Sequence, residues 1–286
     1  MERIKQAMER ARQERQSAAS AAAIAPAPEA SVAAGDQLAA HEAESPPPGM
    51  APAPAAASRT IKVAESTLQE SHLLLPGMVG DTAHGFRLLR TQVLQRMRQR
   101  GWNTLAILSS GPDEGKTFTA INLAIAIAAD RDSTALLVDL DLRFPRIYRR
   151  FGFLPTAGIE DCLRGEATLS EAMVAVEGYG GLTLLPARGP VEHSSELISS
   201  AGARALFREI KERHAERIII YDLPPVLATD DALSFVPQVD AALIVVGEGR
   251  TQREDLLRSL ELLRDTPLLG TVLNGSRRER SAEYAY

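Results

Sequence analysis

One short loop, residues 110–117, carries the clearest chemical signal in the sequence and reads Ser-Gly-Pro-Asp-Glu-Gly-Lys-Thr. It follows an apolar run at residues 105–108 that predicts a strand, and it precedes residues 118–129, which predict a helix. Backbone amides in a loop at this position can point inward and bind phosphate oxygens, and the helix N-terminus adds its dipole. The pattern therefore predicts a nucleotide-binding loop.

Two side chains at the end of this loop have defined roles in such sites. Lys116 would reach the β- and γ-phosphates, and the Thr117 hydroxyl would bind Mg²⁺. The consensus G-x-x-x-x-G-K-[ST] has a glycine where this chain has Ser110. A chance Gly-Lys-Thr turn is the alternative, but the strand before the loop and the helix after it favour nucleotide binding.

Two aspartates come directly after the next predicted strand, residues 134–138. Asp139 and Asp141 project to the same side because side chains alternate along a strand. Open α/β sheets bind ligands at the carboxyl ends of their parallel strands. The pair could therefore hold a metal ion or accept a proton from a hydroxyl group. The alternative is a strand end capped by solvated acids.

A third acid ends another apolar run. Residues 217–221 predict a strand that leads into Asp222, and Pro224 and Pro225 then force an extended exit. An aspartate in this position is the usual second Mg²⁺ element of phosphate-loop ATPases. An apolar run followed by an aspartate is weak evidence alone, but it is strong as the third member of an ordered set.

Together these three blocks resemble the bacterial tyrosine kinases of polysaccharide assembly, a branch of the ParA/MinD-like phosphate-loop ATPases. The resemblance covers about residues 78–286 and implies ATP and Mg²⁺ as cofactors. Asp113 stands where the family loop has glycine, so the geometry of this turn is expected to differ slightly. Outside the loop, the matching positions are Asp139, Asp141, Arg143, Asp222, Pro224 and Pro225.

The same resemblance implies roles for individual residues. Asp139 would accept the proton of the incoming tyrosine, and Arg143 is expected to brace the carboxylates rather than touch phosphate. The implied catalytic residues are Lys116, Asp139, Asp141 and Asp222, and the implied metal ligands are Thr117, Asp141 and Asp222. The implied nucleotide contacts are Gly111, Pro112, Asp113, Glu114, Gly115, Lys116, Thr117, Phe118 and Asn274, of which Asn274 would face the adenine.

A predicted helix at about residues 80–100 carries Arg87 and Arg90, which share one face. In the family, a Glu-x-x-Arg-x-x-Arg helix packs against the active site of the neighbouring subunit in a ring. His84 replaces the acid of that pattern here. The resemblance implies an oligomer contact at both arginines, and the alternative is an amphipathic helix with a solvated basic face.

Two of the five tyrosines, Tyr284 and Tyr286, lie within the last three residues. Members of the family phosphorylate a C-terminal tyrosine cluster on each other, and chain termini are usually flexible enough to reach a neighbour. We therefore expect Tyr284 and Tyr286 to be phosphoacceptors. The alternative is a frayed terminus that happens to carry two tyrosines.

The resemblance implies an ATP-dependent protein-tyrosine autokinase that regulates exopolysaccharide or capsule polymerisation and export. It also implies a separate inner-membrane chain-length protein as activator, and a homo-oligomer. One alternative is a ParA/MinD-like ATPase switch, which usually has a lysine where this chain has Gly111. The other is a nucleotide-binding, non-catalytic regulator of the export machinery, which Asp113 and His84 leave open.

The N-terminal region of about 85 residues differs in composition from the rest of the chain, which predicts one folded domain. No Phe, Tyr or Trp precedes Phe86, so the N-terminal region cannot form an ordinary core with aromatic residues. Ala/Pro-rich composition predicts a disordered linker rather than a fold. The expected divisions are a short amphipathic helix at 1–18, the linker at 19–58, a pre-domain segment at 59–77, the kinase domain at 78–280 and a tyrosine-bearing tail at 281–286.

Aliphatic strands alternate with helices from about residue 80 onward, which predicts an α/β fold with a doubly wound, mainly parallel sheet. One long helix is expected at about 194–214. No run approaches the roughly 18–20 apolar residues of a membrane span, so we expect a cytoplasmic protein that reaches the inner membrane through a partner. A net charge of −5 argues against nucleic acid as a partner, and Cys162 is expected to be buried and inert.

Overall fold

The computed structural model describes residues 59–130 and 132–276, and these contain one eight-stranded sheet. The strand order is β1-β4-β5-β3-β6-β2-β7-β8, and every pair is parallel except β4 with β5. The predicted helix at 1–18, the linker at 19–58 and the tail at 281–286 lie outside the described residues. The strands are β1 (Arg59–Ile61), β2 (Thr104–Ser109), β3 (Thr134–Asp139), β4 (Val174–Val176), β5 (Leu182–Leu185), β6 (Arg217–Asp222), β7 (Ala241–Gly247) and β8 (Leu268–Asn274).

Helices connect these strands and cover both faces of the sheet. None of the helices between residues 59 and 276 that the structure describes has the length and hydrophobicity of a membrane span. They are α1 (Glu65–Glu70), α2 (Asp81–Arg98), α3 (Lys116–Ala128), α4 (Ile147–Arg150), α5 (Ile159–Arg164), α6 (Leu169–Ala172), α7 (Ser194–Ser199), α8 (Ala201–Arg213), α9 (Asp231–Phe235) and α10 (Arg253–Leu262), with a 3₁₀ turn at Val236–Gln238.

The sheet has a hydrophobic core on each face, as a doubly wound fold requires. Leu105 and Ile107 of β2 belong to the core that packs against α2 and α3, whereas Ala106 and Leu108 belong to the core that packs against α8 and α9. This division follows from the alternation of side chains along a strand. Buried strands of this kind read as continuous apolar runs, and for that reason the sequence located them well. The predicted fold class is confirmed.

The predicted long helix at 194–214 is wrong in one respect, because the chain forms two helices that meet at Ser200. The backbone of Ser200 is extended, with ψ at 157°, and its hydroxyl accepts a hydrogen bond from the amide of Ala203 at 3.0 Å. Serine is a strong N-cap because its side chain satisfies an amide that has no partner in the first turn. The apolar periodicity continues across the break, so it did not reveal the cap.

The segment before residue 78 packs into the same core as the rest of the sheet. Its strand β1 pairs with β4, and Leu68, Leu73 and Leu74 are buried. Side chains satisfy both backbone polar groups of Leu74: its amide donates to Asn122 Oδ1 at 2.8 Å, and its carbonyl accepts from the Tyr179 hydroxyl at 2.8 Å. Asn122 lies on α3, so this helix holds the segment in place.

Replacing Asn122 tests this attachment. Asn122→Ala leaves the buried Leu74 amide without an acceptor, and we expect the free energy of unfolding to fall by about 1–3 kcal/mol. Urea denaturation measures the change. The matched control is Gln69→Ala, which removes an exposed hydrogen bond to Glu65 and should change the stability by less than about 0.5 kcal/mol. Equal effects of the two substitutions would contradict the role given to Asn122.

Candidate functional site

Three adjacent strands, β3, β6 and β2, bring the candidate residues together at their carboxyl ends. Asp139 is directly opposite Asp222 in the β3–β6 register, and Asp222 is opposite Ile107 of β2, three residues before the loop begins. The loop then leads into α3, which begins at Lys116. Strand order alone therefore places the loop lysine beside the carboxylates.

Lys116 forms a buried ion pair at the centre of the site. Its Nζ lies 2.6 Å from Asp141 Oδ2, and the two side chains are 10% and 5% exposed. Burial disfavours the charge on Lys116, but the carboxylates of Asp222 and Asp141 outweigh burial and raise its pKa above the ordinary value. The lysine thus stays charged and balances the acids around it.

Asp139 and Asp222 are completely buried next to this pair. Burial, followed by the nearby Asp222 carboxylate, raises the pKa of Asp139 well above its usual range. Burial also raises the pKa of Asp222 to about 6, against the lowering effect of Lys116. Asp139 Oδ2 accepts the amides of Arg146 and Ile147 at 3.1 and 3.0 Å, whereas Oδ1 is buried without a hydrogen-bond partner among the described residues.

The arrangement has the oxygen atoms that a hard divalent cation requires. Both oxygens of Asp222 are buried without a hydrogen bond of good geometry to any described group, and Thr117 is close enough to influence the pKa of this carboxyl. Within the described ranges, no three His, Cys, Asp or Glu side chains converge as a metal cage. Mg²⁺ is commonly held by one or two carboxylates together with phosphate oxygens and waters, so these residues fit it.

Asp113, which stands where the family loop has glycine, adopts a left-handed backbone conformation. Asp113 has a φ of 57°, in the left-handed region that aspartate and asparagine tolerate better than most residues. The amide of Ser110 donates to Glu114 Oε2 at 3.0 Å, and the Ser110 hydroxyl accepts from Ser259 at 2.9 Å, so these contacts fix the start of the loop.

Asn274 fastens the end of β8 to this loop. Its Nδ2 donates to the carbonyl of Glu114 at 3.0 Å. Asn274 and Phe118 both line a cavity of about 520 Å³ next to the loop, whose remaining wall comes from residues before α2 and from the start of that helix. Those residues are Gln69, His72, Leu73, Leu74, Leu75, Met78 and Thr82. The sequence did not indicate that the segment before residue 78 takes part in this cavity.

The prediction that Arg143 contacts the carboxylates of the predicted site is wrong. Its guanidinium donates to Asp231 at 3.0–3.3 Å and approaches Asp230 at 3.4 Å. Asp231 is fully buried and also accepts from Ser194 Oγ at 2.5 Å. The cluster ties the loop after β3 to α7 and α9. The pair Asp230-Asp231 has no distinctive spacing in the sequence, so only the fold reveals it.

Arg87 and Arg90 lie apart from the carboxylate cluster. They line a cavity of about 560 Å³ between α2, α3 and the chain around Tyr179. Arg87 donates to the carbonyl of Met78 and Arg90 to that of Ala126, each at 3.3 Å. Their role as an oligomer contact stays a prediction, and Tyr284 and Tyr286 lie outside the described residues.

The fold and the loop define a phosphate-loop nucleotide-binding protein of the MinD-like type. The structure matches the cell-division ATPase MinD of Pyrococcus furiosus with a TM-score of 0.50 and 26% identity, covering 62% of this chain and 74% of MinD. It matches the kinase domain of the Escherichia coli tyrosine kinase ETK with a TM-score of 0.63 and 26% identity, covering 81% and 95% of the two chains.

Sequence comparison specifies the family. The chain is 31% identical to the tyrosine-protein kinase YwqD of Bacillus subtilis over 204 residues, which are 70% of this chain and 84% of YwqD. It is 33% identical to the succinoglycan biosynthesis transport protein ExoP of Rhizobium meliloti over 211 residues, but these are only 26% of ExoP. No protein-family model matches the chain. The chain belongs to the bacterial tyrosine-protein kinase family, which confirms the resemblance seen in the motifs.

The position of Gly115 does not accommodate a side chain. Its φ is 95°, and a Cβ atom at this position would lie 1.9 Å from Asn274 Nδ2. We expect Gly115→Ala to displace Asn274 and to weaken nucleotide binding by at least about ten-fold, because the added Cβ would clash with Asn274 and the positive φ would strain the backbone. The control is Gly85→Ala on α2, where a Cβ meets nothing within 4 Å. Titration with a fluorescent ADP analogue measures both variants, and unchanged affinity of Gly115→Ala would refute the requirement.

Proposed function

We propose that this chain is an ATP-dependent protein-tyrosine kinase that phosphorylates tyrosines of its own tail. One observation supports the proposal most strongly: a loop lysine lies among three buried aspartates at the carboxyl edge of the sheet. Phosphoryl transfer needs positioned cations and little covalent chemistry from the protein. The site supplies a charged lysine, loop amides and carboxylates in this arrangement.

Each group has a role in the proposed reaction. Lys116 leaves Asp141 and holds the β- and γ-phosphates together with the loop amides. Thr117, Asp141 and Asp222 would hold Mg²⁺, and a bound Mg²⁺ would supply positive charge to the phosphate oxygens. Asp139 takes the proton of the tyrosine hydroxyl at Oδ1, the oxygen that no described group occupies. Burial and the neighbouring Asp222 carboxylate raise the pKa of Asp139, which makes its ionised form a stronger proton acceptor than an ordinary aspartate.

The cavity beside Asn274 and Phe118 is the proposed binding site of the adenine. Its volume of about 520 Å³ is within the range of small-ligand sites. Phe118 is held by an edge-to-face contact with Phe86, with ring centroids 5.7 Å apart. Because His72 and Leu73 line the opposite wall, ATP binding and docking of the segment before residue 78 would stabilise each other.

Tyrosine burial supports the choice of acceptors. Tyr148, Tyr179 and Tyr221 are 8%, 8% and 1% exposed, so a kinase site cannot reach their hydroxyls in the folded protein. Of the five tyrosines, these leave Tyr284 and Tyr286. Tyr284 is ten residues beyond Asn274, a separation that an extended chain can span over roughly 33–36 Å.

The proposed biological role is control of exopolysaccharide or capsule production. The relative ExoP is named a succinoglycan biosynthesis transport protein, and this chain matches about a quarter of its length. In the proposal, the protein acts on the cytoplasmic side of the inner membrane. A separate membrane protein of polysaccharide chain-length control activates it, and Arg87 and Arg90 contact a neighbouring copy in a homo-oligomer.

The test is mass spectrometry of the full-length protein after incubation with ATP and Mg²⁺. We expect phosphate on Tyr284 or Tyr286, and we expect Lys116→Met to abolish it because the lysine holds the transferred phosphate. Tyr284→Phe combined with Tyr286→Phe is the control that removes the acceptors without changing the site. The three buried tyrosines should stay unmodified. ATP hydrolysis with unmodified tyrosines, even after addition of the activator's cytoplasmic segment, would favour an ATPase switch instead.

A further inference from the structure

A third cavity opens at the edge of the sheet opposite the phosphate loop. It has a volume of about 1020 Å³ and lies between the end of α2, the helix α8 and the amino ends of β3 and β6. Thr134, Arg217 and Ile218 mark those strand ends in its lining. The strands β2, β3 and β6 are parallel and have their carboxyl ends at the catalytic centre. Their amino ends, where this cavity lies, are therefore separated from Lys116 by the length of the strands. The proposed kinase mechanism makes no use of it.

Basic side chains converge on this cavity from three elements. Arg204, Arg208 and Lys211 form a stripe on one face of α8, since they are spaced by four and three residues. Arg98 reaches the cavity from α2, and Arg217 from the start of β6. Three acids, Asp132, Glu212 and Glu216, also line the cavity, and all three are exposed. The lining therefore has an excess of two positive charges.

The four arginines of this lining have no carboxylate partner within 4 Å in the part of the chain that the structure describes. Arg98 donates to the Ser133 hydroxyl at 2.9 Å, and Arg217 donates to the Thr183 hydroxyl at 3.3 Å. Lys211 differs from them, because it is paired with Asp240. Arg217 is half-buried, and burial lowers its pKa. Because these guanidinium groups have no ion-pair partner among the described residues, a bound anion would offset their charge.

An aromatic and aliphatic wall accompanies the charges. Trp102, Phe207 and Leu94 line the cavity, and Trp102 is partly exposed with the guanidinium of Arg100 4.5 Å from its ring centroid. A cavity with apolar walls and several convergent donors is typical of a small-molecule site rather than of a solvated surface. Planar guanidinium forks match the oxygens of phosphate in a bidentate manner.

We propose that this cavity is a second ligand site, which binds a phosphate-bearing anion independently of the nucleotide at the phosphate loop. Arg98, Arg208 and Arg217 supply the donors, and Trp102 supplies the apolar wall. The phosphate can come from a soluble metabolite or from a lipid headgroup, since both present the same oxygens. Such a site would let a phosphate compound act on the kinase at the face remote from catalysis.

Trp102 is the only tryptophan in the chain, so its fluorescence reports on this cavity. The full-length protein is first saturated with ADP and excess Mg²⁺, which occupy the phosphate loop, and is then titrated with inorganic pyrophosphate. We expect a saturable change in Trp102 fluorescence. Arg208→Glu should weaken this binding by at least about ten-fold, since it reverses a charge-assisted contact. Arg208 is exposed, so the variant keeps the fold, which circular dichroism checks.

The matched control is Arg258→Glu on α10, an exposed arginine with the same change in net charge that does not line the cavity. It should leave the pyrophosphate affinity within about two-fold of wild type. A parallel titration with phosphatidylglycerol vesicles, against phosphatidylcholine vesicles, distinguishes the two phosphate sources. A change in Trp102 fluorescence that Arg208→Glu weakens supports the site. The titration in which it occurs, with pyrophosphate or with phosphatidylglycerol vesicles, identifies the source of the phosphate. Unchanged Trp102 fluorescence in both arms, or equal loss in both variants, would overturn it. A failed kinase assay would leave this readout unaffected.

Discussion

The buried ion pair between Lys116 and Asp141 determines how the rest of the site is built. Three aspartates and one lysine lie together with almost no exposure to water, and burial of unpaired charges costs several kcal/mol for each ion. The lysine keeps its charge because the carboxylates favour it, whereas burial raises the pKa values of Asp139 and Asp222 against the lowering effect of Lys116. Lys116 therefore offsets part of the negative charge that burial of the carboxylates would otherwise leave unpaired.

The fold makes this charge density possible. Parallel strands β3, β6 and β2 lie side by side, so the acids that end two of them and the loop that follows the third are neighbours without any long-range adjustment. Strands buried on both faces hold these ends rigidly, and α3 extends the arrangement outward. The same helix begins with Lys116 and holds the segment before residue 78 through Asn122. Phosphate binding and the wall of the proposed adenine site thus depend on one helix.

Sequence patterns predicted the parts of this structure that local rules control. The loop, Asp139 and Asp222 are each fixed by an apolar run with a polar residue at its end, and the run itself sets the strand. Asp113 shows the limit of a motif comparison, because this aspartate itself takes a left-handed conformation, which glycine adopts most readily. Only the backbone angle shows that the substitution is tolerated.

The features that the sequence did not reveal depend on contacts between distant parts of the chain. Arg143 is 88 positions from Asp231, and no periodicity connects them. Asn122 is 48 positions from Leu74, and its hydrogen bond converts a segment without a clear pattern into part of the core. The helix break at Ser200 was missed for another reason, since a cap of one residue does not interrupt the apolar stripe around it.

A double-mutant cycle on Lys116 and Asp141 tests the central claim most directly. The free energy of unfolding is measured by urea denaturation for the wild type, Lys116→Met, Asp141→Asn and the double variant, all without nucleotide. We expect Lys116→Met to destabilise the protein by about 3–5 kcal/mol, because it leaves buried carboxylates unpaired, and we expect added Asp141→Asn to restore a substantial part of the loss. Effects that add to within about 0.5 kcal/mol would contradict the account, because the pair would then not be what balances the site.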